Sequence, residues 1–521
     1  MKAYKNYSTR QTPQAEPIPG EEMVENSAGG FVFGVDDWKR LERFLILGSE
    51  GGTYYVGERK LTKENADCVL RCIKADGKRT VDVIVEISKA GRAPKNDPAL
   101  FALAMCAGLG DGKTKGYALE QLSKVARIGT HLFHFAEYVQ QFRGWGRGLK
   151  NAVRDWYQEM SLDRLAYQAV KYQRRDGWSH RDLLRLSHPK TDDKKRNAIY
   201  KWITTGDVLQ PTNKVIEGYE KAMAAEKPKP YMILDYGLTR EMIPTSWLQS
   251  VDVWGALLRN MPITAMVRNL GKMTSVGLLA PMSDVLSVVT KRLKDPERIK
   301  QARVHPLSVL VAMKTYANGH GLRGKLSWNP AREIVDALDE CFYLSFKGVE
   351  PTNKRCLLAL DVSGSMGWNN IAGMPITPRE ASAAMALTTA KVEPIYSIMG
   401  FSHHFVNLSI SPRQRLDDVV GMMTGVPMGA TDCSLPMLWA TKGSVPVDVF
   451  VIYTDNETWY GNIHPCQALD AYRQKMGIDA KLVVVGMTAT GFSIANPDDI
   501  GTLDVVGFDT ATPNIISDFV R

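Results

Sequence analysis

A chain of 521 residues, 44% hydrophobic and 23% charged, has the balance of a globular protein and is too long for one ordinary core. No run approaches the roughly 18 apolar residues of a membrane-spanning helix, and the polar start MKAYKNYSTRQTPQAEPIPGEEM holds no apolar segment of a secretory leader. The net charge of +9 is unevenly spread: residues 351–521 carry 11 Lys and Arg against 16 Asp and Glu, leaving 54 against 40 in residues 1–350. A basic module joined to an acidic one points to a polyanion partner for the first part, with plain solubility charge as the alternative.

Residues 1–28 read as a flexible tail. Residues 61–346 read as helix after helix, because NADCVLRCI, DPALFALAMCA, ALEQLSKVARI and HPLSVLVAMKTYA repeat apolar residues at i, i+3, i+4 and i+7. The GDGKTKG segment, Asp176-Gly177 and Leu293-Lys-Asp-Pro296 read as short connections. Serial helix pairs of this length predict a HEAT-like solenoid over residues 29–350, and a solenoid that curves enough closes on itself. Cys68 and Cys72 lie one helical turn apart, but no second Cys or His pair completes a metal site. The seven scattered cysteines therefore read as buried thiols of a reducing, cytoplasmic compartment.

Three stretches of this module mix basic groups with rings. The first holds Arg127, His131 and His134. The second holds Arg143, Trp145 and Arg147, with Lys150 and Arg154 beyond. The richest runs through Lys171, Tyr172, Arg174, Arg175, Trp178, His180, Arg181, Arg185, His188 and Lys190. Arg181, Arg185 and His188 are spaced four and three apart, along one side of a helix. Arg offers a planar fork to phosphate and stacks on bases, which suits RNA better than duplex DNA; a solvated charged face over packed tryptophans is the alternative. Gly319-His-Gly-Leu-Arg-Gly324-Lys325 satisfies G-x-x-x-x-G-K, but Leu326 stands where a P-loop needs Ser or Thr, and a helix precedes it where a strand should. A glycine-permitted helix end followed by a basic loop is the better reading, with Arg323 and Lys325 available to phosphates.

After residue 350 the texture changes. RCLLALDVS, PIYSIMGF, VDVFVIYTD, AKLVVVGM and TLDVVGF read as strands, alternating with helical segments such as PREASAAMALTTAKV and PCQALDAYRQKM. This predicts an α/β, doubly wound domain over residues 351–521, whose ligands sit at the carboxyl ends of its strands. Asp361-Val-Ser363-Gly-Ser365 follows the first strand, Thr431 lies in a later loop and Asp455 closes VDVFVIYTD. Two carboxylates and three hydroxyls at one sheet edge are hard oxygen donors that leave room for water, the way Mg²⁺ is held. Ser363 and Ser365 are poor nucleophile candidates, since G-x-S-x-G is absent and no His follows a late strand. The chain reads as a non-enzyme; a nuclease would need paired carboxylates at two-metal spacing in the basic module.

The D-x-S-x-S loop with Thr431 and Asp455 is similar to the metal-ion-dependent adhesion site of von Willebrand factor A domains, although MGAT stands where a GGT-like loop is common. LERFLILGSEGGTYY, RIGTHLFHF, GWGRGLKNAVRDWY, GWSHRDLLRLSHPK, LRNMPITAMVRNLGKMT, ARVHPLSVLVAMKTYANGHGLRGKL and GATDCSLPMLWA together resemble the Ro ribonucleoprotein family, a TROVE module followed by such an A domain. The resemblance covers nearly all of the chain after about residue 30. It implies a helical ring with a basic central hole that takes single-stranded ends of misfolded RNA, and a protein monomer without membrane attachment. It also implies a Y RNA on the outer surface, through Lys171, Arg174, Arg181, Arg185 and His188, and in bacteria a Y RNA tether to a 3′ exoribonuclease. Residues 190–243 depart from the animal members in length and charge. The function expected is RNA quality control by binding; the alternative is a metal-dependent protein-adhesion scaffold acting through the A domain.

Overall fold

The structure, a computed structural model, describes residues 11–322, 324–346, 350–368, 370–425 and 429–521. Helices dominate up to Arg332–Leu344, and the α/β domain follows. Many of the helices begin where a short polar side chain stops the preceding turn: Asp36, Asp76, Asp111, Ser161, Asp193, Asn213 and Ser283 all accept a bond from the first helical turn. The predicted helix across ALEQLSKVARI is instead two, Gly112–Glu120 and Leu122–Val125. GDGKTKG is largely helical, because Asp111 caps it and Thr114 packs inward. Asp176-Gly177, both at positive φ, is the two-residue turn of a small hairpin pairing Arg174–Arg175 with Trp178–Ser179.

The helical module returns to its start. Gly91, at φ +69°, ends the helix Gly77–Ala90 against the Arg303 side chain, and His305 Nε2 meets the Arg92 carbonyl at 3.0 Å. The α/β domain spans that closure and grips both ends. On the early side Arg43 is wholly buried, donating to the Thr490 and Phe492 carbonyls at 2.9 and 2.8 Å and to Asp504 at 2.5 Å. Arg92 donates to Asp509 at 2.6 Å. On the late side Lys314 pairs with Glu380 at 2.7 Å, and Arg415 pairs with Asp336.

The main sheet runs in the order Thr502–Val506, Lys481–Gly486, Val449–Thr454, Cys356–Asp361, Tyr396–Phe401, Phe405–Asn407, parallel except for the last strand. The strands read as apolar runs because both faces are covered. Along Cys356–Asp361, Leu358 and Leu360 join a core continuous with the helical module, while Leu357 and Ala359 face a second core with Val32 and Tyr472. Among the described residues no helix is long and apolar enough to cross a membrane.

The flexible tail expected over residues 1–28 is corrected from residue 11 onward. Met23–Glu25 pairs with Phe31–Gly34, which pairs with Phe492–Ser493 of the α/β domain. Gln14 is fully buried, donating to Asp432 at 2.7 Å and to the Ile463 carbonyl at 2.8 Å. Polar bonds rather than apolar periodicity hold this strap, which is why it looked unstructured.

Removing one partner of a buried ion pair leaves the other charge stranded, at a cost of about 3–5 kcal/mol. Arg43→Met is therefore expected to lower unfolding stability by roughly that amount, and more than Arg71→Met, whose pairing with Asp37 is half exposed. Chemical denaturation of both variants checks the difference.

Candidate functional site

The strand Cys356–Asp361 has Tyr396–Phe401 on one side and Val449–Thr454 on the other. The crevice where a doubly wound sheet reverses direction therefore opens at the ends of the first and third of these strands. Asp361 ends the first and Asp455 follows the third, and both are buried. Asp361 Oδ1 accepts from the Ser363 amide at 2.9 Å and Oδ2 from the Thr454 hydroxyl at 2.7 Å. The Ser363 and Ser365 hydroxyls lie 3.1 Å apart. Thr431 is buried in the adjoining loop, its carbonyl accepting from the amides of Trp459 and Tyr460. Arg379, also buried, donates to the carbonyls of Val362 and Ser363 at 2.7 and 2.8 Å and fixes the loop path from beneath.

Burial, with the Asp455 charge second, pushes the Asp361 carboxyl up to about 7; burial raises Asp455 as well. Glu457, two residues on, is raised to about 8 by burial and then by Asp455. Its Oε2 accepts from the Ala28 amide at 3.0 Å, while Oε1 is buried without a hydrogen-bond partner among the described residues. Glu457 was missed in the sequence, because its burial depends on the strap some 430 residues earlier. Tyr55, from the helical module, feels the same carboxylates: burial, and then their charge, pushes its hydroxyl up to about 12. Among the described residues no cluster of three or more His, Cys, Asp or Glu side chains could hold a metal ion. A cation here would need hydroxyls beside Asp361 and Asp455, and Ser363, Ser365 and Thr431 supply them.

A second feature is a cavity of about 1090 Å³ inside the helical ring. Its wall comes from early segments of the helical module (Lys95, Arg127, His131), middle ones (Arg240, Arg268, Lys272) and late ones (Arg303, His305), and from residues 373–375 of the α/β domain. Among the described residues six Lys and Arg face it, and no Asp or Glu does. Among the described residues no carboxylate pairs with Arg127, Arg240, Arg268, Lys272 or Arg303, while Lys95 is tied to Glu50. Burial and then the nearby Arg303 charge lower the Arg127 guanidinium, and burial followed by Arg127 depresses the His131 imidazole to about 4. His131 is neutral at physiological pH, a flat hydrogen-bonding wall.

Of the ten basic candidates read from the sequence, Arg127 and His131 line this cavity. Lys325 is exposed in the loop between Leu322 and Leu326, both of which line it, and that loop is closed by a His320–Ser327 bridge. Arg323 lies outside the described residues. The others lie elsewhere. Arg181, Arg185 and His188 are exposed on and just after the helix His180–Ser187, whose opposite face buries Leu183 and Leu184. Arg174 is exposed on the adjoining hairpin. Lys171 is half-buried, its ammonium bonded to the Tyr167 hydroxyl at 3.0 Å and lying over the Tyr167 and Tyr172 rings. Arg147 opens the helix Arg147–Gln158, which packs on His180–Ser187, and Trp145 meets Trp178 at 5.2 Å, so the second and third stretches form one surface.

Arg240, Arg268, Lys272 and Arg303 were not among the candidates. The available signal was the i, i+4 pair Arg268 and Lys272 on the helix Ile263–Ser275, opposite the buried Met266, Leu270 and Met273. Without the ring's curvature that face is indistinguishable from a solvated one.

A closed helical ring with a cation-lined lumen, joined to an A domain whose oxygen cluster sits at the sheet's switch point, defines a TROVE-type ring protein. Residues 24–230 and 222–316 match the TROVE domain family, and residues 355–520 match the Ro60 vWA domain family. The chain is 44% identical over 517 residues to the "RNA-binding protein RO60" of Deinococcus radiodurans, covering 98% of this chain and 97% of that one. It is 35% identical to the protein of the same name from Caenorhabditis elegans, covering 96% and 90%. The crystal structure of the Deinococcus radiodurans RO (RSR) protein superposes with a TM-score of 0.72 at 44% identity, over 93% of this chain and 99% of that one. The chain belongs to the Ro60 family.

The raised carboxyls of Asp361, Asp455 and Glu457 make this site costly in the absence of a positive charge. With divalent ions chelated, Asp361→Asn removes one of the mutually repelling groups and is expected to stabilise the fold by about 1 kcal/mol. A thermal melt in chelator, with the variant melting no higher than the parent, would count against this.

Proposed function

We propose that this protein binds RNA, taking a single-stranded end of a misfolded non-coding RNA into the lumen as part of RNA quality control in the cytoplasm. The observation that carries the reading is the lumen wall: among the described residues, six Lys and Arg with no carboxylate between them. Phosphates neutralise such a wall without regard to sequence, so selection comes from shape, an unpaired strand entering where a helix is too wide. The relatives named RNA-binding protein support the same chemistry. The exposed surface of Arg174, Arg181, Arg185 and His188, with Arg147 on the neighbouring helix, suits a small structured RNA of the Y type on the outside. An RNA held there has the rest of its length free to tether a 3′ exoribonuclease. The working unit of this reading is one protein chain.

In the A domain, Asp361, Ser363, Ser365, Thr431 and Asp455 would hold a divalent cation, Mg²⁺ by donor chemistry. That ion would supply a Lewis-acidic position for an outside oxygen ligand. Exposed rings at Tyr54, Trp368 and Tyr460 stand near this mouth, which favours a protein partner there as a second, compatible activity.

Titrating a duplex with a single-stranded tail against the same duplex with blunt ends tests the lumen. The tailed RNA is expected to bind tighter, more so at low salt; equal affinities insensitive to salt would overturn the reading. Arg268→Gln with Lys272→Gln should weaken tailed RNA and flatten the dependence of log affinity on log salt by about 0.7 per lost contact. Arg181→Gln with Arg185→Gln should leave that slope nearly unchanged.

Cation affinity has a predicted sign with pH. Asp361 and Glu457, raised to about 7 and about 8, hold protons at lower pH that a cation must displace. Mg²⁺ affinity measured by calorimetry should therefore fall as pH drops from about 8 to 6, and Asp361→Ala should abolish it.

A further inference from the structure

A second cavity, of about 570 Å³, lies where three parts of the chain meet: the end of the helix Gly77–Ala90, the helices Pro296–Ala302 and Arg332–Leu344, and the A-domain helix Pro378–Val392. Its size falls in the range of small-ligand pockets, about 300–1,000 Å³. Among the described residues three cations line it, Lys300, Arg303 and Lys391, against one carboxylate, Glu297. No ion pair engages any of these four among the described residues; Lys391 instead lies 3.5 Å from the centre of the Tyr343 ring. The Tyr343 hydroxyl is buried with no hydrogen-bond partner among the described residues. Ile299, Leu344, Phe346 and Val392 supply apolar wall, and Ser345, Thr388 and Thr510 supply hydroxyls.

We infer that this cavity is a site for a nucleoside phosphate. Unpaired cations facing one space suit a phosphate, and Arg303 is held there by a left-handed backbone at φ +49°. The aromatic and aliphatic wall suits a flat heterocycle, and the scattered hydroxyls suit its edges and the sugar. The pocket is separate from the oxygen cluster of the A domain. It adjoins the lumen, since Gly91, Arg303 and Val304 line both cavities. The ligand is therefore either a free nucleotide or the terminal nucleotide of a strand in the lumen. The inference does not rest on lumen binding.

Calorimetry on the full chain with AMP, inorganic phosphate and adenosine tests it. AMP is expected to bind more tightly than either fragment, and Lys300→Gln with Lys391→Gln to weaken AMP by about tenfold or more while the thermal melt holds. No saturation by millimolar AMP, or an affinity unchanged in the Lys300/Lys391 variant, overturns the inference. So does loss of AMP binding in Arg268→Gln with Lys272→Gln alone, which would place the nucleotide in the lumen. Competition by a short single-stranded RNA ending in a 3′ phosphate supports the site with a strand end as its ligand. Lack of competition, with AMP still sensitive to Lys300→Gln and Lys391→Gln, supports the site with a free nucleotide.

Discussion

The guanidinium of Arg43 sits in the seam between the helical ring and the A domain, out of reach of water, with two carbonyls and a carboxylate around it. A buried pair of this kind adds little net stability over a well-packed apolar pair, but it tolerates one geometry only. That geometry is what the rest of the molecule needs. It sets the A domain across the ring closure, where Arg92–Asp509 and Lys314–Glu380 repeat the same device, and it brings Tyr55 within the influence of the Asp455 and Asp361 charges. The continuous apolar core through both modules makes the seam part of the fold rather than a contact between independent domains.

The chain separates its charges by role. Carboxylates serve helix caps, the seam and the oxygen cluster, while among the described residues five of the six lumen cations have no carboxylate partner and Lys95 alone pairs with Glu50. Arg127 and Arg303 repel one another there, and Asp361, Asp455 and Glu457 are crowded together in the A domain. Both places are less stable alone than they would be with an opposite charge present. Such local conflict within an otherwise consistent fold marks surfaces made for a ligand.

Much of this was readable in advance, for specific reasons. The strands of the A domain declare themselves because two-sided burial demands unbroken apolar runs, and strand ends then position Asp361 and Asp455. The face carrying Arg181, Arg185 and His188 follows from helical spacing. Harder to read were features that depend on distant chain segments. Glu457 is an ordinary acidic residue until residues 26–28 cover it, Gln14 and Asn26 resemble tail residues until the A domain accepts their bonds, and Arg268, Lys272 and Arg303 resemble solvated surface until the ring bends them inward. Curvature is a sum of many small helix-packing angles, and no local pattern encodes it.

The N-terminal strap carries an implication for how the molecule is made. Thr12 bonds to Gln467, Gln14 to Asp432, Asn26 to the Thr458 carbonyl, and Phe33 pairs with Ser493, so these early residues wait more than 400 positions for their partners. On a ribosome the helix pairs, whose contacts are mostly between neighbours, can fold as they emerge, whereas the strap and the seam must stay unsatisfied until the final strands appear. Assembly is therefore vectorial up to the last step and concerted at it: docking of the nascent A domain seals the ring, anchors the strap and covers Glu457 beside the oxygen cluster.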